Sequence, residues 1–455
     1  MSVQDLMSAA GPLGALAGTP KCQQIDVYSL KYVTAGGANE ITTSSGALMV
    51  PSGTDSACQG NRPIVLYAHG TVPTRDFDIA AIDAGGEGTL IAAFFAANGY
   101  IVVAPNYAGY STSTLSYHPY LNADQQAKDM IDALTAARRA LPVAEVPGVT
   151  DSGKLFITGY SQGGYVAMAT QRALQAAGAT VTASAPLSGP YALSAFSDAV
   201  FQGRVNTNPT LFSVLLSTSY LRSYGTLSNP TDIYEPQFAD GIDMLLPTNG
   251  SVTDLFTSGR IPQFIFSSTP PDPEFAAQTP ATTGPLPSIY ARGFGEPHLV
   301  TNAFRLSYLR DAQTNPDGGF PTTTDNLPPA NPANPLRVAF KTNDLRTWAP
   351  TAPTLLCAGN SDPTVFFMNT QLIQGYFSMT SPSAPVTVVD VDSPAGMNDP
   401  FAASKQAFAF VKGNIASAAV SGGATDGGAA AVLAQYHGLV APFCLLAAQT
   451  FFADK

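Results

Sequence analysis

The chain has 455 residues, 45% of them hydrophobic and only 12% charged, with 21 Lys plus Arg against 32 Asp plus Glu for a net charge of −11. That length holds two domains or one large α/β domain with an insertion. An acidic balance without a basic run excludes an electrostatic nucleic-acid footprint, and no run of about 18 consecutive apolar residues marks a membrane span.

Polarity comes instead from Ser, Thr, Asn and Gln, a surface that suits an exported protein. The N-terminus MSVQDLMSAAGPLGALAG lacks a basic region and a long apolar stretch, so it does not read as a signal peptide. The expectation is a mature secreted or periplasmic chain behind an added Met. Four cysteines are present, with no C-x-x-C spacing, so a zinc or thioredoxin-type site is not expected. Of the three possible pairings, Cys22–Cys58 would close a short loop beside two predicted strands. Cys357 and Cys444, which both lie near the candidate catalytic residues, would form the second bridge, and four small buried thiols are the alternative.

In chain order, QIDVYSLKYVT (24–34) and GALMV (46–50) read as strands from their β-branched and aromatic content. RPIVLYAHGT (62–71) is a short apolar run, as a buried strand would be. GTLIAAFFAANGY (88–100) reads as a helix closed by Gly99. YIVVAPNYAGYS (100–111) is a strand and its loop. NADQQAKDMIDALTAARRALP (122–142) is an amphipathic helix capped by Asn122. LFITGYSQGGYVAMAT (155–170) runs from strand to helix, and TVTASAPLSGP (180–190) is the next strand. This alternation predicts an α/β fold, a mostly parallel central sheet with helices on both faces.

The rhythm breaks after Pro190. Residues 191–345 mix short helices with Pro/Thr-rich and Pro/Asn-rich stretches. The pattern resumes with APTLLCAGNSDP (352–363), a helix near 364–378, the strand APVTVVDVD (384–392) and a last apolar helix over 440–452. The economical division is a core of 1–190 and 346–455 with an inserted, mainly helical cap at 191–345.

Chemistry centres on Ser161, in Gly159-Tyr160-Ser161-Gln162-Gly163-Gly164 between a strand and a helix. Glycines two residues either side permit a sharp turn that pushes the serine hydroxyl out at the sheet's C-terminal edge. A serine hydroxyl needs a base. Of the four histidines, only His437 follows both Ser161 and the best acid in the order Ser, acid, His. Its setting, AQYHGLVAPF, reads as a loop leading into the last helix. The acid is Asp362, in the turn after TLLCAG, with Asp390 and Asp392 as rivals. Backbone N–H groups of Gln162 and of Thr71 or Gly70 are the candidate oxyanion donors. His69, Tyr160 and His118 are the residues set against a substrate pocket, with loop-fixing or packing roles open for the two histidines. His298 falls in the predicted cap, substrate-facing or merely packed.

With these residues in place the chain resembles bacterial α/β-hydrolases related to the secretory lipases of the fungal lipase A type. The pieces are GTPKC, PNYAGYSTS and YHPYL, TGYSQGGYVAMATQRAL, APLSGPY, WAPTAPTLLCAGNSDPTV and YHGLVAPFC. The resemblance implies the α/β-hydrolase fold with a helical cap. It also implies a carboxylic ester hydrolase that needs no metal or organic cofactor, with Ser161, Asp362 and His437 as nucleophile, acid and base. Asn106 stands where relatives often show Asp, and the cap carries no matching motif. The expected substrate is a small-molecule or lipid-like acyl or aromatic ester. A serine peptidase or acyltransferase would use the same triad. A non-catalytic binding protein would have kept only the fold.

Overall fold

A computed structural model describes residues 1–83, 85–144, 148–225, 227 and 229–455. Eight strands form one sheet: β1 (Gln24–Ala35), β2 (Ile41–Ser52), β3 (Gly60–Ala68), β4 (Ile101–Pro105), β5 (Val149–Tyr160), β6 (Ala183–Leu187), β7 (Thr354–Ala358) and β8 (Val386–Asp390). Their spatial order is β1-β2-β4-β3-β5-β6-β7-β8. β1 and β2 join antiparallel. From β4 to β8 every pairing is parallel.

The side-chain period of two sorts each strand between two cores. On β3, Ile64, Leu66 and Ala68 face the helices Ala123–Ala140 and Gln162–Ala176. Val65 and Tyr67 face the opposite layer, with Glu87–Phe94 and Ala429–Ala453. β4, β6 and β7 are buried along their whole length, which is why they read as unbroken apolar runs.

The expected elements are present, with three differences. The helix foreseen over 88–100 ends at Phe94, and a 3₁₀ turn, Ala96–Asn98, leads to Gly99 at φ 91°. A helix over Ala402–Ser421 has no counterpart in the expectation. Only Ser404 and Phe408 are buried on it, so it shows no apolar stripe to read.

The last helix spans Ala429–Ala453 and carries Pro442 within it, so His437 sits on a helix rather than in a loop. This helix is long and apolar enough to cross a membrane by length and composition alone, although it holds no run of 18 consecutive apolar residues. Its hydropathy has a local cause. Phe443, Cys444, Leu445, Ala447 and Ala448 are buried against the sheet, and the Gln449 amide donates to the Ala17 and Phe94 carbonyls.

Both expected disulfides are present, Cys22–Cys58 and Cys357–Cys444. The second ties β7 to the His437 helix and closes a separation of 87 residues. Loop-closure entropy makes such a bridge worth about 4 kcal/mol. The double substitution Cys357→Ala/Cys444→Ala should therefore lower the melting temperature by about 4 °C. Calorimetry checks this, and an unchanged transition would contradict it.

Between β6 and β7 the chain makes an insertion with no strand of the sheet among its described residues. Its longer helices are Leu193–Phe201, Pro209–Tyr224, Asn302–Thr314 and Pro335–Thr342. Buried guanidiniums pin its irregular stretches. Arg337 pairs with Asp198 and Asp311, and Arg346 with Asp317 and Asp344. Arg305 donates to the Phe201 and Gln278 carbonyls and to Thr279, under the faces of Phe266 and Phe294. Burial pulls Arg305 down to about 9.

Candidate active site

β5 runs into the helix Gln162–Ala176 through a single residue, Ser161, held at φ 60°. That backbone region is strained for a side chain other than glycine and must be held by its surroundings. The holding is visible. A Cβ on Gly159 or Gly163 would collide with the Ala68 carbonyl, and one on Gly164 with Leu187. The helix is thus drawn against both neighbouring strands, and Ser161 N–H donates to the Leu187 carbonyl at 2.9 Å. Gly164, which lies outside the five-residue pattern, is as tightly confined as the two glycines within it.

The structure brings three distant residues together. Ser161 Oγ lies 2.9 Å from His437 Nε2, and His437 Nδ1 lies 2.6 Å from Asp362 Oδ2. An ionised carboxylate only accepts, so Nδ1 carries the proton and Nε2 is left to accept from the serine hydroxyl. The other carboxylate oxygen of Asp362 accepts from the N–H groups of Thr364 and Val365 at 2.8 and 3.1 Å. Asp362 is buried. The two rival acids are engaged elsewhere. Asp390 accepts from Asn360 N–H and Nδ2, and Asp392 from Tyr436 and Lys412.

Tyr160 supports the histidine. Its hydroxyl donates to the His437 carbonyl, and the two rings lie 5.0 Å apart. It also lines the larger of two cavities that meet at Ser161. His69 and His118 line neither cavity, which corrects the expectation that they face substrate. Both are wholly buried because they pin backbone. His118 Nδ1 donates to the Ala108 carbonyl at 2.9 Å, and its Nε2 accepts from Gln162 Nε2 at 2.7 Å. Burial lowers its pKa to about 3. His69 Nδ1 lies 2.6 Å from the Gly70 carbonyl. Burial pulls this ring down to about 4. His298 lies between Glu235 and Glu296 at 3.2 and 2.5 Å, also away from both cavities.

Asn106 uses both ends of its amide. Nδ2 donates to Ser45 and Asp78 while Oδ1 accepts from Ile79 N–H. An ionised Asp could not make the two donations.

The two cavities differ in kind. One, of about 90 Å³, is a narrow apolar slot running from Ser161 and Gln162 into the insertion between Leu193, Val200, Leu216 and Phe340. The other, of about 930 Å³, is wider and more polar, with Thr71, Glu87, Asn208, Gln263 and Arg292 on its walls. His437 and Thr71 line only the wide one. Glu87 was not foreseen. An acidic residue in the first turn of a helix is the usual partner of the helix dipole, and nothing local distinguishes this one.

Comparisons with known proteins agree with this architecture. The sequence model of the prolyl oligopeptidase family (Peptidase_S9) matches residues 89–232, less than half of the chain. A comparison with curated proteins finds no match. Among solved structures, the rice cell wall degrading esterase LipA from Xanthomonas oryzae is similar at 29% identity and TM-score 0.64, over 84% of this chain and 87% of that one. A hydrolase-like protein from Legionella pneumophila, described as a putative hydrolase, aligns over 99% of this chain and 93% of its own, at 19% identity and TM-score 0.65. Candida antarctica lipase A aligns over 83% and 73%, at 11% identity and TM-score 0.51. At these last two identities the likeness is one of fold alone. An eight-stranded, mostly parallel sheet covered by helices, with these neighbours, gives the chain the α/β-hydrolase fold and a resemblance to an esterase built on it.

Proposed function

We propose that the protein is a serine carboxylic ester hydrolase acting through an acyl-enzyme. The observation that carries this is the unbroken chain from Ser161 Oγ through His437 to Asp362, set where an apolar slot meets a polar cavity.

Ser161 Oγ attacks the ester carbonyl carbon while its proton passes to His437 Nε2. Asp362 holds the imidazole and balances the charge it gains. The carbonyl oxygen becomes an oxyanion facing the N–H groups of Gln162 and Thr71. The tetrahedral species then collapses, the bond to the alkoxy oxygen breaks, and His437 returns the proton to the leaving alcohol. Water, deprotonated by His437, attacks the acyl carbon, releasing the acid and restoring Ser161. Side chains and one water supply every proton and electron pair.

The acyl group occupies the apolar slot and the alcohol the wide cavity. Residues 191–345 act as a cap, since they supply most of the slot's walls. Thr226 and Ser228 of that range lie outside the described residues. The two disulfides favour an oxidising compartment, outside the cytoplasm.

A series of p-nitrophenyl esters of rising acyl length tests this. With each buried methylene worth about 0.8 kcal/mol, kcat/KM should rise about 4-fold per carbon until the slot is full. Leu216→Trp should then cut the longer esters by about 10-fold or more through overpacking while sparing acetate. A flat profile that Leu216→Trp leaves flat would contradict the acyl assignment. The prolyl oligopeptidase match favours a peptidase as the second reading, though it stops short of Asp362 and His437. Peptide p-nitroanilides cleaved faster than any ester would decide for it, and transfer to an added alcohol outrunning hydrolysis would decide for an acyltransferase.

A further inference from the structure

Glu87 is a carboxylate that the scheme above leaves unused. It opens the helix Glu87–Phe94 and stands on the wall of the wide cavity with Ser161, Thr71 and His437. Its Oε1 accepts from the Tyr67 hydroxyl at 2.7 Å and from Gly70 N–H at 3.0 Å. Oε2 lies 3.2 Å from the same N–H. Burial pushes its carboxyl up, and the two donors oppose the rise. By charge alone, a carboxylate here disfavours an oxyanion forming nearby. Its place is better explained by what it holds.

Gly70 lies between this carboxylate and the serine turn. A Cβ on Gly70 would stand 3.5 Å from both Glu87 Oε2 and the Tyr160 carbonyl. Glycine sets its own φ and ψ only weakly, so the two peptide planes flanking it need outside anchors. Glu87 takes the N–H of the first plane. The two His69 ring nitrogens both face carbonyls, Nδ1 that of Gly70 at 2.6 Å and Nε2 that of Asn106 at 3.1 Å. The shorter contact assigns the neutral ring's one N–H to Nδ1, which takes the carbonyl of the second plane. In a trans peptide that carbonyl and the Thr71 N–H point in opposite directions. Pinning the Gly70 carbonyl onto His69 therefore turns the Thr71 N–H away from it.

We propose that Glu87 is a positioning residue of the oxyanion loop. By gripping Gly70 N–H it commits that group elsewhere and leaves the Thr71 N–H as the loop's donor to the carbonyl oxygen of a bound ester. This rests on the reading of Ser161 as nucleophile.

The test combines steady-state kinetics on a p-nitrophenyl ester with inhibition by a trifluoromethyl ketone, whose hemiketal oxyanion occupies the same place. Glu87→Ala should lower kcat about 10- to 100-fold, less than the loss on removing an oxyanion donor outright, because the Thr71 N–H is misaimed and not deleted. KM should stay near wild type, and the ketone's Ki should weaken by the same factor as kcat. Glu87→Asp, which keeps the charge but withdraws the acceptor, should match it and guards against a misfolded Ala variant. Glu87→Gln keeps an acceptor of the same shape and should recover most of kcat. Ala and Asp variants with wild-type kcat, or a loss confined to KM with an unchanged Ki, would overturn the proposal. If the wild type hydrolyses the ester and the variants follow suit, this inference alone fails. If the wild type is inert to both ester and ketone, the functional reading beneath it fails first.

Discussion

Ser161→Ala is expected to lower kcat on a p-nitrophenyl ester by about five to six orders of magnitude, the cost of removing the nucleophile from a serine triad. The effect should fall on chemistry and not on folding. Alanine keeps the Cβ and removes only the hydroxyl, whose partner is His437 Nε2. The turn itself is held by Gly159, Gly163 and Gly164 against neighbouring carbonyls, and those contacts do not change. KM, or the affinity for a non-hydrolysed ester analogue, should stay within about 3-fold, because the slot and the wide cavity bind substrate without the hydroxyl. Stopped-flow kinetics on the purified variant, with its melting temperature measured alongside, checks both halves. Retained turnover would put the nucleophile elsewhere.

Asp362→Asn should cost about four orders of magnitude in kcat. The reason lies in which oxygen does what. Oδ1 accepts from two backbone N–H groups in its own turn, so the asparagine oxygen stays there. The new amide nitrogen then faces His437 Nδ1, where Oδ2 had been. Two donors cannot face each other, so the imidazole proton moves to Nε2. That nitrogen can no longer accept the serine proton. Asp390→Asn is the matched control. Its carboxylate serves Asn360 in the neighbouring turn, and kcat should stay within about 3-fold. Parallel kcat measurements decide between them. Equal losses would mean that the region matters only for stability, and a larger loss at Asp390 would reassign the acid.

Much of the arrangement was legible because the relevant signals are local. β3, β4, β6 and β7 hold short apolar runs, and their shortness with Gly or Pro close by favours buried strands over helices. The serine turn announces itself through glycines that the Ala68 and Leu187 carbonyls require. Asp362 follows from its place after β7.

What escaped depends on contacts between distant positions. The stretch around His437 reads as a loop before a helix over 440–452, yet the helix Ala429–Ala453 starts well upstream and runs through Gly438 and Pro442. Packing on the sheet and the Cys357 bridge override local propensity there. For His69 and His118 the sequence left a loop-fixing or packing role open beside a substrate-facing one, and could not decide between them. Their burial against backbone carbonyls is invisible in the sequence. Glu87 was missed for the converse reason, since its partners, Tyr67 and Gly70, lie 20 and 17 positions back, across the loop that follows β3. The insertion resisted reading altogether. It lacks a period, and its order rests on ion pairs such as Arg337 with Asp198, 139 positions apart.

The central claim is that Ser161 is a nucleophile activated by His437. Labelling the folded protein with a fluorophosphonate and mapping the adduct by peptide mass spectrometry tests it most directly. The account predicts one adduct per chain on the peptide holding Ser161, lost in His437→Ala and after unfolding. An unlabelled protein under conditions that label a known serine hydrolase, or an adduct on a different serine, would contradict it.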